Sequence, residues 1–166
     1  MNQNVKVIMG DGQILFDLED VQVVSRLIEG QYPDYQQIIP KESLVQVVLN
    51  KEEFLNSVRL ASIFSSRVND VKFSINIKKP LLEVLAVDPD IGSNKSKVGA
   101  EINAGKGKDV PGKMEISFNY QYILEGLANI ESKKVVLGLN QETSPAVLKP
   151  LGQADYLYVV MPIKAS

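Results

Sequence analysis

Asn50-Lys51-Glu52-Glu53-Phe54-Leu55-Asn56-Ser57-Val58 returns, in pattern, as Asn119-Tyr120-Gln121-Tyr122-Ile123-Leu124-Glu125-Gly126-Leu127. A shift of 69 positions lays Asn50 on Asn119, Phe54 on Ile123, Leu55 on Leu124 and Val58 on Leu127. Each stretch opens with asparagine, whose side-chain oxygen can accept from the unpaired amides of a first helical turn. Glu52 and Glu53 then face the positive end of the helix dipole. Helices are predicted over residues 51–65 and 120–130.

Around these helices the chain reads as strands. β-rich runs occupy residues 44–49, 71–77, 81–87, 97–102, 114–118, 134–139, 146–150 and 156–162. Strands before and after each helix match in type, so residues 43–166 form two strand–helix–three-strand units. This predicts a duplicated α+β domain with helices on one face of antiparallel sheets. Residues 1–42 hold strands at 4–9, 14–18 and 21–28, the first two split by the turn signal Gly10-Asp11-Gly12. No helix accompanies them, and residues 29–41 form a loop punctuated by Gly30, Pro33 and Pro40. They read as the end of a preceding domain, partly exposed and prone to association, while residues 43–166 are expected to fold by themselves.

Helical periodicity assigns faces. At about 100° per residue, Phe54, Val58 and Ala61 share one face with Leu55 beside them. Ile63 lies nearly opposite and Phe64 well off the stripe. Either a neighbouring loop covers this pair or they meet another surface. In the second helix Tyr120, Leu124 and Leu127 are expected to face the core, with Tyr122 projecting the other way.

Composition narrows the function classes. The chain has 166 residues, 45% of them hydrophobic and 23% charged, which suits one domain or one domain plus part of another and argues against wholesale disorder. No apolar stretch approaches the roughly 20 residues that span a bilayer, and the amino terminus lacks a signal-peptide pattern. Cysteine and histidine are both absent, which removes thiolate chemistry, the commonest general base and the usual zinc ligand sets. The net charge of −2 argues against tight, purely electrostatic binding of nucleic acid, though not against a ring with one modest basic face.

The remaining chemical motifs have plainer readings. Asp88-Pro89-Asp90 places two carboxylates close together, as a hard cation or a small carboxylate enzyme would need, but Asp and Pro also favour turns for local backbone reasons. Gly105-Lys106-Gly107-Lys108 lacks the glycine spacing and the following Ser or Thr of a phosphate loop, and reads as a hairpin tip. Lys95, Lys97, Lys106, Lys108 and Lys113 carry no interleaved aromatics for stacking on bases and read as solvated. Arg59, on the non-core face of the first helix, is the better candidate for weak contact with a phosphate backbone. The ending Tyr158-Val159-Val160-Met161-Pro162-Ile163 is unusually apolar for a terminus. Pro162 has no amide hydrogen to donate, so the last residues are expected to leave the sheet and line a groove, where a flexible methionine adapts to varied partners.

Three motifs carry a family resemblance. Leu27-Ile28-Glu29-Gly30-Gln31-Tyr32-Pro33-Asp34-Tyr35, ending at Ile39-Pro40, resembles the linker between the second and third domains of the bacterial sliding clamp, the beta subunit of DNA polymerase III. Phe118-Asn119 with Tyr122 resembles the start of that family's second helix, and Tyr158 to Ile163 its carboxy terminus. The resemblance spans the whole chain. It implies the end of the second domain plus linker over residues 1–42 and the complete third domain over 43–166.

The resemblance also implies a non-enzymatic, cytoplasmic processivity factor for DNA replication, needing no cofactor and no metal. In that family two three-domain subunits close a ring around duplex DNA, which they contact weakly and without sequence preference. The replicative polymerase, the clamp loader and repair proteins dock short peptides bearing a glutamine and spaced leucine and phenylalanine. The matching cleft residues are Pro33, Gln37, Ile38, Asn119, Tyr122, Val159, Val160, Met161, Pro162 and Ile163, with Val68, Thr143 and Pro145 less closely matched. Ile63 and Phe64 fall at the family's subunit interface, and Arg59 at its DNA-facing side. Departures are Gln37, where the family often has arginine, and Gly92-Ser93-Asn94-Lys95, where many members are acidic. The first domain and the front of the second have no counterpart, so this chain alone is not expected to close the ring. The competing reading is a stand-alone interaction module with the clamp fold that does not encircle DNA.

Overall fold

The computed structural model describes residues 4–18, 20–32, 34–105, 110–153 and 155–164. Gly12, at φ 84°, turns the chain between β1 (Lys6–Gly10) and β2 (Gln13–Asp17), a conformation open to glycine without steric cost. β3 (Gln22–Arg26) completes a three-stranded antiparallel sheet in the order β1-β2-β3. Val7, Ile8 and Met9 of β1 and Val23 and Val24 of β3 are all exposed.

The chain divides into compact units at residues 1–35 and 36–166, seven residues before the expected boundary at 42/43. The reason is packing: Pro40 to Ser43 line a cavity together with Gln46, Val136 and Gly138, and Ser43 fills the place a Cβ would take on Gly138. Residues 36–42 therefore go with the second unit.

That unit contains two copies of one motif. The first runs β4 (Val45–Asn50), α1 (Lys51–Ser62), β5 (Asp70–Asn76), β6 (Leu81–Asp88) and β7 (Gly92–Ala104). The second runs β8 (Lys113–Asn119), α2 (Tyr120–Ala128), β9 (Lys134–Leu139), β10 (Ala146–Pro150) and β11 (Tyr158–Val160). All eight strands join antiparallel in one sheet, ordered β11-β10-β9-β4-β7-β6-β5-β8. The registers repeat as well. Asn50 pairs with Lys134 across β4 and β9, and its counterpart Asn119 pairs with Asp70 across β8 and β5.

Both helices begin as the sequence predicts. Asn50 and Asn119 hold nearly the same extended backbone, φ −67°, ψ 126° and φ −68°, ψ 120°. Asn50 Oδ1 accepts from the Glu52 and Glu53 amides at 3.0 and 3.2 Å, and Asn119 Oδ1 from the Gln121 amide at 2.9 Å. Asn119→Ala is expected to lower stability by about 1 kcal/mol, read as a shift in urea midpoint. An unchanged midpoint would show that water replaces the cap at no cost.

Between the helices and the sheet lies the core. Phe73 centres it, with ring centroids 5.4 Å from both Phe54 on α1 and Phe118 on β8. Phe54, Val58 and Ala61 are the buried residues of α1, as expected. On α2 the buried residues are Ile123, Gly126 and Leu127, while Tyr120 and Leu124, expected on the core face, are only partly covered. The 69-residue shift indicates this correctly, since Ile123 and Leu127 are the counterparts of Phe54 and Val58.

Four further expectations change. The helices stop at Ser62 and Ala128, short of 65 and 130. β7 begins at Gly92, five residues before the expected 97, because its polar start pairs along β6 from Leu85–Lys95 to Asp88–Gly92. β7 and β8 are not neighbours, so these two strands do not form the expected hairpin; Lys106 and Lys108 lie outside the described residues. Finally, β11 spans three residues, not 156–162, and after Pro162 the chain meets the far edge of the sheet, where the Ile163 amide donates to the Ser117 carbonyl at 2.8 Å.

Candidate functional site

α2 and the terminal strand build a small surface pocket from opposite ends of the second motif. It has a volume of about 290 Å³ and is lined by Tyr122, Tyr158, Val159, Val160 and Met161. Tyr122 follows the Asn119 cap by three residues, so the cap fixes where its ring leaves the helix. β11 is held by antiparallel pairing with β10, Ala146 opposite Val160 and Leu148 opposite Tyr158. Val160 is buried and anchors the strand, whereas Tyr122 and Met161 are 51% and 53% exposed. The pocket thus has an apolar, partly solvated wall on a rigid frame, which suits a peptide side chain more than a reaction.

Gly126 sets the depth of this frame. A Cβ there would stand 2.8 Å from Cδ1 of Tyr158, so only glycine lets the Tyr158 ring lie against α2. The Tyr156 hydroxyl donates to the Gly126 carbonyl at 3.1 Å and ties the same stretch to the helix. Sequence reading omitted Tyr158 from the site, although it opens the quoted terminal motif; the paired requirement for Gly126 becomes visible only in three dimensions.

Burial pushes the Tyr158 phenol above its ordinary value of 10.0, and the nearby charges of Glu125, Tyr156 and Tyr122 push the same way. Tyr156 is likewise raised by burial, against a hydrogen bond from Asn129 that lowers it. A raised value in the folded chain means the fold holds these protons more tightly than the unfolded chain does. Their contribution is therefore complete below pH 10 and is lost as pH rises through the raised values. In an alkaline ultraviolet titration two of the six tyrosines should ionise late, and Tyr158→Phe should remove one of them. A single uniform transition would contradict this packing.

The other expected site residues are more scattered. Thr143 and Ile163 line a second cavity, about 270 Å³, beside Ser117. Pro145 and Pro162 are half-buried, at the start of β10 and just after β11. Gln37 closes a 3₁₀ turn (Tyr35–Gln37), and Ile38, 50% exposed, follows it. Neither lines the pocket at Tyr122, and neither does Val68, which is 60% exposed between α1 and β5. Pro33 lies outside the described residues.

Ile63 is 60% exposed, but Phe64 is partly covered by its own chain, with its ring beside Gly92 at the β6–β7 turn. Arg59 is exposed and makes no ion pair among the described residues. Lys95 pairs with Glu83 at 3.0 Å, and Lys113 and Lys72 both reach Glu115. Asp88 Oδ1 accepts from the amides of Asp90 and Ile91 at 2.9 and 3.1 Å, so its carboxylate caps a turn. No group of three or more acidic or metal-ligating side chains gathers among the described residues, and no helix among them is long and apolar enough to cross a membrane.

Comparison with known proteins gives a consistent picture. Residues 36–164 match the family model described as DNA polymerase III beta subunit, C-terminal domain. The beta sliding clamp of Synechococcus elongatus is 36% identical over 155 residues, 92% of this chain and 39% of the relative. That of Staphylococcus aureus is 25% identical over 162 residues, 98% of this chain and 41% of the relative. The chain thus spans about two fifths of the length of the curated relatives it matches. Among solved structures, a Bartonella birtlesii sliding clamp bound to griselimycin superposes with a TM-score of 0.85 at 28% identity, covering 97% of this chain and 41% of that one. A Pseudomonas aeruginosa DNA polymerase sliding clamp with ligand gives 0.84 at 25% identity, covering 97% and 42%.

Proposed function

The chain belongs to the family of the DNA polymerase III beta subunit, C-terminal domain, and from that premise we propose that it is the peptide-docking part of a DNA sliding clamp. In this reading it is a non-enzymatic processivity factor of the cytoplasm, needing no cofactor. Its whole protein encircles duplex DNA as a homodimeric ring and tethers the replicative polymerase, the clamp loader and repair proteins. Tethering raises the local concentration of the bound enzyme at its template without any new chemistry.

The observation that carries this reading is the meeting of Tyr122 with Val159, Val160 and Met161 in one pocket. A few apolar anchors entering such a pocket supply most of the affinity of a short peptide. By the family resemblance Gln37 and Ile38 are assigned to docking as well, although neither lines the Tyr122 pocket, and Asn119, Thr143, Pro145, Pro162 and Ile163 to its surroundings. Ile63 with Phe64 is assigned to the subunit interface and Arg59 to the DNA side. The exposed apolar side chains of β1 and β3 favour a ring-forming parent over a stand-alone module, because small soluble domains rarely leave such a surface uncovered.

The test is an anisotropy titration of a labelled peptide bearing a glutamine and spaced leucine and phenylalanine. Saturable binding that Tyr122→Ala weakens is expected. Binding that ignores Tyr122→Ala, or no binding at all, would remove the cleft from this chain.

A further inference from the structure

The 69-residue shift that matches the two helices breaks down in charge at their carboxy-terminal turns. α1 carries Arg59 in its last turn, a cation placed where free backbone carbonyls make the helix end negative. The corresponding residue of α2 is Ala128, and α2 has no basic residue in its last turn. Its one charged residue is Glu125, which lies on the neutral Asn56 of α1. Asn129, the cap of α2, donates from its side chain to the Glu125 carbonyl at 3.0 Å but brings no charge. A negative side chain and the negative end of a helix thus coincide on α2, which the helix itself disfavours.

Glu125 borders the Tyr122 pocket. It is exposed and stands one helical turn beyond Tyr122, where Cβ atoms are about 5–6 Å apart. It also directly precedes Gly126, against which the Tyr158 ring packs. Burial first, and then the charge of Glu125, holds the Tyr158 phenol above its ordinary value, as expected of a carboxylate near that ring. The pocket lining itself carries no charged residue. Lys164, the cation nearest to Met161 in sequence, lines the cavity beside Ser117 together with Lys72 and Glu115. An apolar slot is therefore bordered at its Tyr158 end by an exposed carboxylate.

We propose that Glu125 selects, among peptides docking at Tyr122, those with a lysine or arginine flanking the apolar anchors. This selectivity rests on the docking reading above and defines the class of partner: an apolar motif with a basic flank. An ammonium or guanidinium there meets the carboxylate and the carbonyl end of α2 together, whereas an acidic flank is repelled by both. Contact at a solvated rim is weak, so it discriminates between partners while the apolar anchors supply most of the affinity.

The probes are synthetic peptides bearing a glutamine and spaced leucine and phenylalanine, titrated into the full chain. One set carries lysine, glutamine or glutamate directly after the phenylalanine, and a second set carries the same three residues directly before the motif. In one of the sets the wild-type chain should bind in the order lysine, glutamine, glutamate, with Kd changing about two- to fivefold at each step. Salt at about 1 M, where the screening length falls to about 3 Å, should compress that spread. Glu125→Gln should bring the lysine-to-glutamate ratio close to one, and Glu125→Lys should reverse the order. A flat order in both sets on the wild-type chain, or an order that survives Glu125→Lys, would overturn the selectivity. If the neutral peptide binds and Tyr122→Ala weakens it while the order is flat, docking stands and the selectivity alone fails. If no peptide binds, both fall.

Discussion

Met161→Asp is expected to weaken docking-peptide affinity by about 2 kcal/mol or more, roughly thirtyfold in Kd, while leaving the urea midpoint of the chain close to wild type. Met161 is 53% exposed and follows the last residue of β11, so aspartate there is hydrated in the free chain and strains nothing. A peptide entering the pocket must strip water from that carboxylate and offers an apolar side chain in return. Desolvation of an unpaired charge is costly, so the penalty falls on the complex alone. Calorimetric titration beside a denaturation curve separates the two effects. A midpoint that falls with affinity would mean the tail is part of the folding core and not a docking surface.

Phe73→Ala acts in the opposite manner, with an expected loss of about 3–5 kcal/mol in stability. Phe73 is fully buried and touches one aromatic ring from each motif, Phe54 of the first and Phe118 of the second. Removing the ring deletes buried apolar area and opens a cavity that rigid neighbours on a helix and two strands cannot close. Because the triad spans both motifs, unfolding should stay a single transition, observed alike by circular dichroism and by tyrosine fluorescence. Loss below about 1 kcal/mol would mean that the core relaxes into the space, contrary to the packing described above.

Much of this architecture is legible in the residues because the chain states it twice. The asparagine caps at Asn50 and Asn119 and the apolar spacing after them give both helices and the duplication. Where sequence reading fails, pairing overrides local character. Gly92-Ser93-Asn94-Lys95-Ser96 has no apolar alternation, yet it is strand because every residue from Gly92 to Gly99 pairs with β6. β11 is short because Pro162 cannot donate, a signal that was legible, but the return of Ile163 to Ser117 depends on where the far edge of the sheet lies. Helical spacing alone selects Tyr120 and Leu124 along with Leu127 for the core, whereas comparison of the two helices selects Ile123 with Leu127, and these two are the ones buried.

The site divides in the same way. The terminal motif and Tyr122 are visible in sequence as unusual apolar and aromatic positions. The need for Gly126 is not, nor is the packing of the Tyr158 ring on it, since each makes sense only against the other, across α2 and β11. Phe64 shows the limit of a helical wheel beyond the end of a helix. α1 stops at Ser62, and the chain then turns the Phe64 ring onto Gly92 while Ile63 stays in solvent.

The most direct test uses methyl resonances. The chain has four methionines, and two of them report separate surfaces, Met161 at the Tyr122 pocket and Met114 at the β8 edge. With ¹³C-methyl labelling, a peptide bearing a glutamine and spaced leucine and phenylalanine is predicted to move the Met161 signal in proportion to occupancy and leave Met114 in place. A Met161 signal that stays fixed while the peptide demonstrably binds would contradict the account.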